Sequence, residues 1–324
     1  MNDPALQLLA RLADGRWHGG PALSDVLGVS RAAVWKQVEA LRGTGLEIRS
    51  DSGRGYRLAR PVELLCAERI RAALPAGITV EVLERSASTN AELAGPGFAH
   101  RRAVLAEWQQ AGRGRRGRHW IAPPGGGLAL SFGIRFEVGL PRLGPLSLVA
   151  GLACTEALER IGVAGPGLKW PNDLIVDGAK LGGLLVELQG SVDGPCNVVI
   201  GVGINAWLPD ALRSAIDQPT ADLAGLGVDP QQRNALAAGL IEALDRACER
   251  FQRDGFAPFA DAWAERDVLF GRAVDVHDAD GSVRRGTADG VSERGGLWLR
   301  TDDSRTNESR QELVAGEVSL RVRH

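Results

Sequence analysis

Residues 107–120 read Glu107-Trp108-Gln109-Gln110-Ala111-Gly112-Arg113-Gly114-Arg115-Arg116-Gly117-Arg118-His119-Trp120. Four arginines crowd among three glycines here, and such a run is neither a good helix nor a good strand. Glycine raises the entropy cost of regular structure and adjacent like charges repel. The reading is a loop, mobile until an anion orders it. It lies between two apolar runs, Ala103–Ala106 and Leu128–Phe136, so the context is strand, loop, strand and not a disordered basic tail. Glycines let backbone N–H groups approach a ligand, and guanidinium forks match carboxylate and phosphate oxygens. Ordering a free residue costs about 1–2 kcal/mol, and a charge-assisted hydrogen bond returns roughly 1.5–3 kcal/mol. The loop should therefore close only over a ligand with several anionic oxygens.

A chain of 324 residues, 44% hydrophobic, has room for two or three cored domains. Its net charge of −2 argues against a wholesale nucleic-acid coat. No apolar stretch reaches membrane-spanning length, and the start, Met1-Asn2-Asp3-Pro4, lacks a signal-peptide pattern, so a soluble cytoplasmic protein is expected. Cys66, Cys154, Cys196 and Cys248 are far apart and read as small apolar residues. None of the five histidines has metal-ligand spacing. Only three of the 38 basic residues are lysines, Lys36, Lys169 and Lys180, which hints that each stands where a compact charge is needed.

The first 60 residues form their own unit. Leu6, Leu8, Leu9 and Leu12 suggest a helix; a short helix to Leu27, a turn at Gly28 and a helix capped by Ser30 follow, a helix-turn-helix pattern. Val34, Val38 and Leu41 face inward, leaving Arg31, Ala32, Trp35 and Lys36 for a major groove. Strands at Leu46–Ser50 and Tyr56–Leu58 make a wing with a basic tip at Arg54. Nine basic residues against six acidic ones in this unit fit phosphate contacts, so Ser30, Arg31, Ala32, Trp35, Lys36 and Arg54 are the candidate DNA-binding residues.

Beyond a linker at Ala59–Glu63, helices are expected at Cys66–Leu74, Leu146–Ile161, Asn234–Asp254 and Phe256–Asp267, strands at Thr79–Leu83 and Leu128–Phe136, and a loop at Pro209–Thr220. Ser88-Thr89-Asn90 is either a helix N-cap or a set of donors and acceptors for a neutral polar group. Lys169-Trp170-Pro171-Asn172-Asp173 is a proline-broken turn, Asp177-Gly178 a hairpin signal, and Lys180–Glu187 a strand with two glycines. Val198–Asn205 is a buried strand with small residues at alternate positions, which opens space on one face. From Gly271 to Val322 short strands alternate, with a variable turn at Thr301–Arg310.

Ser88-Thr89-Asn90, the run Gln109–Arg118, Lys169–Asp173, Lys180-Leu181-x-Gly183 and Gly201-x-Gly203-Ile204-Asn205 stand in the order seen in biotin–protein ligases. With a winged helix-turn-helix in front, the chain resembles the bifunctional bacterial form of that family, which is also the biotin operon repressor. The resemblance implies an α+β chain: a winged helix-turn-helix (1–62), a mixed-sheet α/β catalytic domain of the biotin/lipoate ligase type (63–268) and an SH3-like barrel (269–324). It implies that biotin and ATP form biotinyl-AMP, and that biotin passes to a lysine of the biotin carboxyl carrier protein. By resemblance, Ser88, Thr89, Asn90, Gln109, Arg113, Gly114, Arg115 and Lys180 bind biotin, with Lys180 and Arg113 catalytic. Arg115, Arg116, Arg118, Trp120, Lys169, Asn172 and Asn205 bind ATP, and Mg²⁺ accompanies the nucleotide, with Asn172 or Asp173 as its candidate ligand. His119 stands where many relatives carry lysine, which makes a fixed charge pH-dependent. The implied partners are the carrier protein, operator DNA and a second copy of the chain when adenylate is bound, with no membrane. The alternatives are a lipoate or octanoate ligase or transferase, and a ligand-sensing repressor without ligase turnover.

Overall fold

Leucines repeating along residues 6–12 and valines along 34–41 make one core beneath the amino-terminal unit, in a computed structural model that describes residues 3–96, 98–277, 282–301, 309–314 and 319–322. The elements are α1 (Pro4–Leu12), α2 (Gly20–Leu27), α3 (Arg31–Arg42), β1 (Ile48–Asp51) and β2 (Gly55–Leu58). Gly28 ends α2 at a φ of 65°, and Ser30 caps α3 by accepting from the Ala33 N–H at 3.2 Å. The first wing strand starts two residues later than expected, at Ile48. Arg42 at the end of α3 donates to the Ile48 carbonyl at 2.6 Å, and Leu46 is turned into the core instead.

The central elements are α4 (Ala67–Ala72), β3 (Thr79–Ser86), α5 (Thr89–Leu93), β4 (Arg102–Gln109), β5 (Gly112–Arg113), β6 (His119–Trp120), β7 (Gly127–Phe136), α6 (Leu146–Arg160), β8 (Gly167–Lys169), β9 (Asp173–Val176), β10 (Ala179–Gly190), β11 (Cys196–Asn205), α7 (Asp210–Ser214), α8 (Arg233–Asp254) and α9 (Ala260–Arg266). Seven strands form a mixed sheet in the order β3-β4-β7-β11-β10-β9-β8, with β3 and β4 parallel and the other neighbours antiparallel. Alternation gives the sheet two unlike faces. Val198, Ile200, Val202 and Ile204 of β11 join Leu128, Leu130, Phe132 and Ile134 of β7 in a core shared with α6 and α8. The opposite face carries Gly201, Gly203 and Asn205 beside Ala129 and Ser131. The helix α5 covers part of that face through a small cluster of Leu93, Val104 and Val199.

Two expectations are corrected. The stretch 107–120 is not loop throughout. It leaves β4 and folds into a ribbon in which Gly112 pairs Trp120 and Arg113 pairs His119, with the Gly114 N–H donating to the Arg118 carbonyl at 2.7 Å. The glycines that disfavour a helix permit this tight return: a Cβ on Gly112 would lie 2.6 Å from the Trp120 carbonyl oxygen, and Gly117 has a φ of 71°. The segment 209–220 contains the short helix α7, folded back because Arg213 donates to the Thr220 carbonyl at 2.6 Å and pairs with Asp222.

At the carboxyl end, β12 (Ala273–His277), β13 (Val283–Val291), β14 (Leu297–Thr301), β15 (Ser309–Leu313) and β16 (Ser319–Val322) form an antiparallel sheet in the order β15-β14-β13-β12-β16. Most of the turn expected at Thr301–Arg310, residues 302–308, lies outside the described residues. All four cysteines are free. No helix among the described residues is long and apolar enough to cross a membrane.

The linker between the first unit and the sheet is clamped. Arg233, 2% exposed, pairs with Glu107 at 2.8 Å and donates to the Gly127 carbonyl at 2.7 Å and to the Glu63 carbonyl. Glu107 in turn accepts from the Leu65 N–H at 2.8 Å, while Asn234 holds Glu63, Leu64 and Cys66 through three further hydrogen bonds. Removing one member of a buried pair strands the other charge. Arg233→Ala should therefore lower unfolding free energy by about 3–5 kcal/mol in denaturant titration, and a loss below 1 kcal/mol would contradict the clamp.

Candidate functional site

Strand register builds a floor of small residues on the open face of the sheet. Gly183 of β10 faces Gly203 of β11, Gly203 faces Ala129 of β7, and Ala129 faces Ala106 of β4. Gly201 faces Ser131 in the neighbouring row. Both glycines of β11 are required by what lies on them: a Cβ at Gly203 would stand 2.6 Å from the Trp120 indole, and one at Gly201 would stand 2.3 Å from Asn90 Oδ1. Trp120 thus rests on the trough, carried there by the return strand of the ribbon. Its indole N–H is buried without a hydrogen-bond partner.

One end of the trough is polar and buried. Asn90 Nδ2 donates to Glu187 Oε2 at 2.7 Å and to the Leu185 carbonyl at 3.2 Å, which orients its amide. Ser131 Oγ lies 2.5 Å from Asn90 Oδ1 and 2.7 Å from Thr89 Oγ1. An amide oxygen carries no proton, so the serine donates to Asn90, and the threonine hydroxyl donates to Gln109 Oε1 at 3.1 Å. Gln109 Oε1, at the end of β4, accepts from the Thr89 N–H at 2.9 Å. Ser88 occupies the N-cap position of α5 but makes no side-chain capping bond, so the N-cap reading of its hydroxyl fails. Amides and hydroxyls so arrayed can present donors and acceptors to a neutral polar ring.

The other end is cationic. Lys180 follows the Asp177-Gly178 turn, and a bulge between Lys180 and Gly182 swings it so that Nζ meets Asp173 Oδ1 at 2.6 Å. The Lys180 carbonyl lies 3.4 Å from Asn205 Nδ2, which also donates to the Ala221 carbonyl at 3.0 Å. Asn172 donates to the Leu184 carbonyl at 2.6 Å, and its Oδ1 lies 3.5 Å from Arg115 Nη1. Burial pulls the Arg115 guanidinium below its ordinary range, Asp173 acts against that, and Arg116 and Arg118 add to it. Arg113 Nη2 lies 3.5 Å from Glu187 Oε1, which links the ribbon to the polar end. Gly114 lies at the ribbon bend, and Arg116, Arg118 and His119 are exposed. Lys169 ends β8 beside Asp173 in the ladder. Trp170, the next residue, is buried and donates to the Gly295 carbonyl at 2.9 Å, tying this corner to the carboxyl-terminal sheet.

Thr89, Asn90, Gln109, Trp120, Asn172, Lys180 and Asn205 thus fall around one face of one sheet, with Arg113 and Arg115 reaching it from the ribbon, whereas Arg116 and Arg118 are exposed. Ser131 and Glu187 were missed. A lone serine inside the apolar run Leu128–Phe136 was the available signal for the first, and a carboxylate closing Leu184-Leu185-Val186 for the second. Among the described residues no cluster of three or more His, Cys, Asp or Glu could hold a metal ion.

On the amino-terminal unit, Arg31, Ala32, Trp35 and Lys36 are exposed on α3, while the Ser30 hydroxyl is occupied as the helix cap. Arg54 at the wing tip lies over the Trp17 ring at 4.3 Å and pairs with Asp51 at 3.1 Å. A hollow of about 450 Å³ between wing and helices is lined in part by Gly19, Gly20, Arg31 and Ser52.

Residues 82–205 match the Biotin/lipoate A/B protein ligase family, residues 5–57 an HTH domain, and residues 269–321 the Biotin protein ligase C terminal domain. The chain is 38% identical over 324 residues to the Bifunctional ligase/repressor BirA of Escherichia coli (strain K12), covering 99% of this chain and 98% of that one. It is 30% identical to its namesake from Bacillus subtilis (strain 168), covering 95% of each. The biotin protein ligase from Aquifex aeolicus, solved in complex with biotin and ATP, superimposes with a TM-score of 0.62 at 27% identity, covering 75% of this chain and 99% of that one. Full-length similarity, the three matched segments in order and the shared fold together mean that the chain belongs to the bifunctional biotin ligase/repressor family.

Proposed function

We propose that this protein is an ATP-dependent biotin–protein ligase that makes biotinyl-5′-AMP and transfers biotin to a lysine of the biotin carboxyl carrier protein of acetyl-CoA carboxylase. The same chain acts as a biotin-responsive transcriptional repressor with biotinyl-AMP as corepressor. The observation that carries the reading is a trough of small residues with a buried amide–hydroxyl cluster at one end and Lys180 with the arginine ribbon at the other. A ureido ring needs the first end, and a carboxylate joined to a phosphate needs the second.

In this reading Ser88, Thr89, Asn90, Gln109 and Ser131 hold the ureido ring, and Arg113, Gly114 and Arg115 close over the junction. Arg115, Arg116, Arg118, Trp120, Lys169, Asn172 and Asn205 surround the nucleotide. The biotin carboxylate attacks the α-phosphorus, the bond to the bridging oxygen breaks, and pyrophosphate leaves. The carrier lysine amine then attacks the acyl carbon and AMP leaves. Two anions must meet in the first step, so Lys180 and Arg113 lower the repulsion at the reacting oxygens. Lys180 must exchange Asp173 for the ligand to do so.

Mg²⁺ is the companion of ATP in such a step, but the residues here do not make a protein-held site for it. Among the described residues Asp173 belongs to no cluster of three or more His, Cys, Asp or Glu, and the Asn172 amide is spent on the Leu184 carbonyl, so no step is assigned to the ion. We assign units 1–62, 63–268 and 269–324 to DNA binding, ligation and support of the ligation site. The protein is assigned to the cytoplasm and pairs as a homodimer when adenylate is bound. A lipoate or octanoate ligase is the second reading; a long acyl chain has no polar group to meet the amides and hydroxyls of Asn90, Gln109, Thr89 and Ser131.

Incubation with radiolabelled biotin, ATP and a biotin carrier domain should label the carrier, and absence of label refutes the ligase. Lys180→Met should slow adenylation by about 10²–10³-fold in pyrophosphate exchange, with the chain still folded by circular dichroism. Gly201→Ala should weaken biotin binding by at least about tenfold, because the new methyl displaces Asn90; calorimetry showing unaltered affinity would remove Asn90 from the site. Arg115→Gly should speed adenylate release and label proteins other than the carrier, whereas an unchanged dissociation rate would contradict a latch between ribbon and Asn172.

A further inference from the structure

The helix α3 buries Val34, Val38 and Leu41 and leaves Trp35 57% exposed in the middle of its outer face. Tryptophan is among the side chains with most to gain from burial, and here more than half of it is left uncovered by the described residues. Its surroundings state what could. Arg31 lies one turn before it and Lys36 beside it, while Glu39, one turn after, is already paired with Arg42 at 2.6 Å. The face is therefore cationic around an apolar centre. Ala32, three residues before Trp35, leaves one flank of the ring uncovered.

An indole offers one donor and no acceptor, so it cannot make the paired hydrogen bonds by which amides and guanidinium groups read bases. What it offers is a wide apolar face. The apolar group that the major groove of unmodified DNA presents is the C5 methyl of thymine. Resting on the DNA-binding reading above, we infer that Trp35 is a specificity-determining residue that packs on a thymine methyl in each half-site, with Arg31 and Lys36 on the flanking phosphates.

The test is selection from random-sequence duplexes by the full-length protein with biotin and ATP, run with the wild type and with Trp35→Ala. The winning duplex is then rebuilt with deoxyuridine for thymidine, which removes the methyl alone. The expected wild-type motif has a thymine at a fixed place that Trp35→Ala no longer selects, whereas Trp35→Phe still does. Deoxyuridine should weaken the wild type about fourfold per contacted methyl and leave Trp35→Ala unaffected. If the wild type enriches no sequence, the DNA-binding reading fails and this inference with it. If it enriches a motif whose thymine survives Trp35→Ala, or if deoxyuridine weakens both proteins alike, the inference alone is overturned.

Discussion

A β-strand has two faces, and this molecule depends on keeping them unlike. Along β11 the residues Val198, Ile200, Val202 and Ile204 belong to the core, and Gly201, Gly203 and Asn205 look the other way. The apolar row anchors the sheet on α6 and α8 with enough area to tolerate an opposite face built of glycine and alanine. Around Gly201 and Gly203 that second face offers a helix little to pack on. It is a good floor for a flat ligand, since Gly203, Gly183, Ala129 and Ala106 project little from it. A register shift of one residue would exchange the two faces and lose both at once.

Charge completes what the floor begins. Arg113, Arg115, Arg116 and Arg118 stand in a ribbon of few residues, and the partners of the first two are weak ones. Glu187 meets Arg113 at a distance of 3.5 Å, and Asn172 gives Arg115 only an amide oxygen. Burial already disfavours the charge on Arg115. An anion entering between ribbon and floor relieves that deficit, which is why such a fold favours ligands that carry carboxylate and phosphate together.

The sequence was most legible where one residue type has one use. Gly28, Ser30 and the Val34–Val38–Leu41 spacing led directly to the helix-turn-helix, and alternate small residues in Val198–Asn205 led to an open sheet face. It was less legible where a long-range partner decides. The ribbon at 107–120 depends on Gly112 pairing with Trp120 and on Glu107 being drawn into the core by Arg233, well over a hundred residues away. Ser131 and Glu187 acquire their meaning only when Asn90 is set between them, across three strands and a helix. The short helix α7 follows from Arg213 folding back to Thr220 and Asp222, a tertiary event that local propensity does not report.

The clamp on the linker has a geometric corollary. Residues 63–66 are fastened at once to the first turn of α8 and, through Glu107, to the strand that ends in Gln109. A tether of glycine and serine would let the two halves tumble independently. This one fixes the amino-terminal unit to β4 at Glu107, the residue next to Ala106 of the floor. A small tilt of that strand end would therefore be carried to the wing tip on a longer arm.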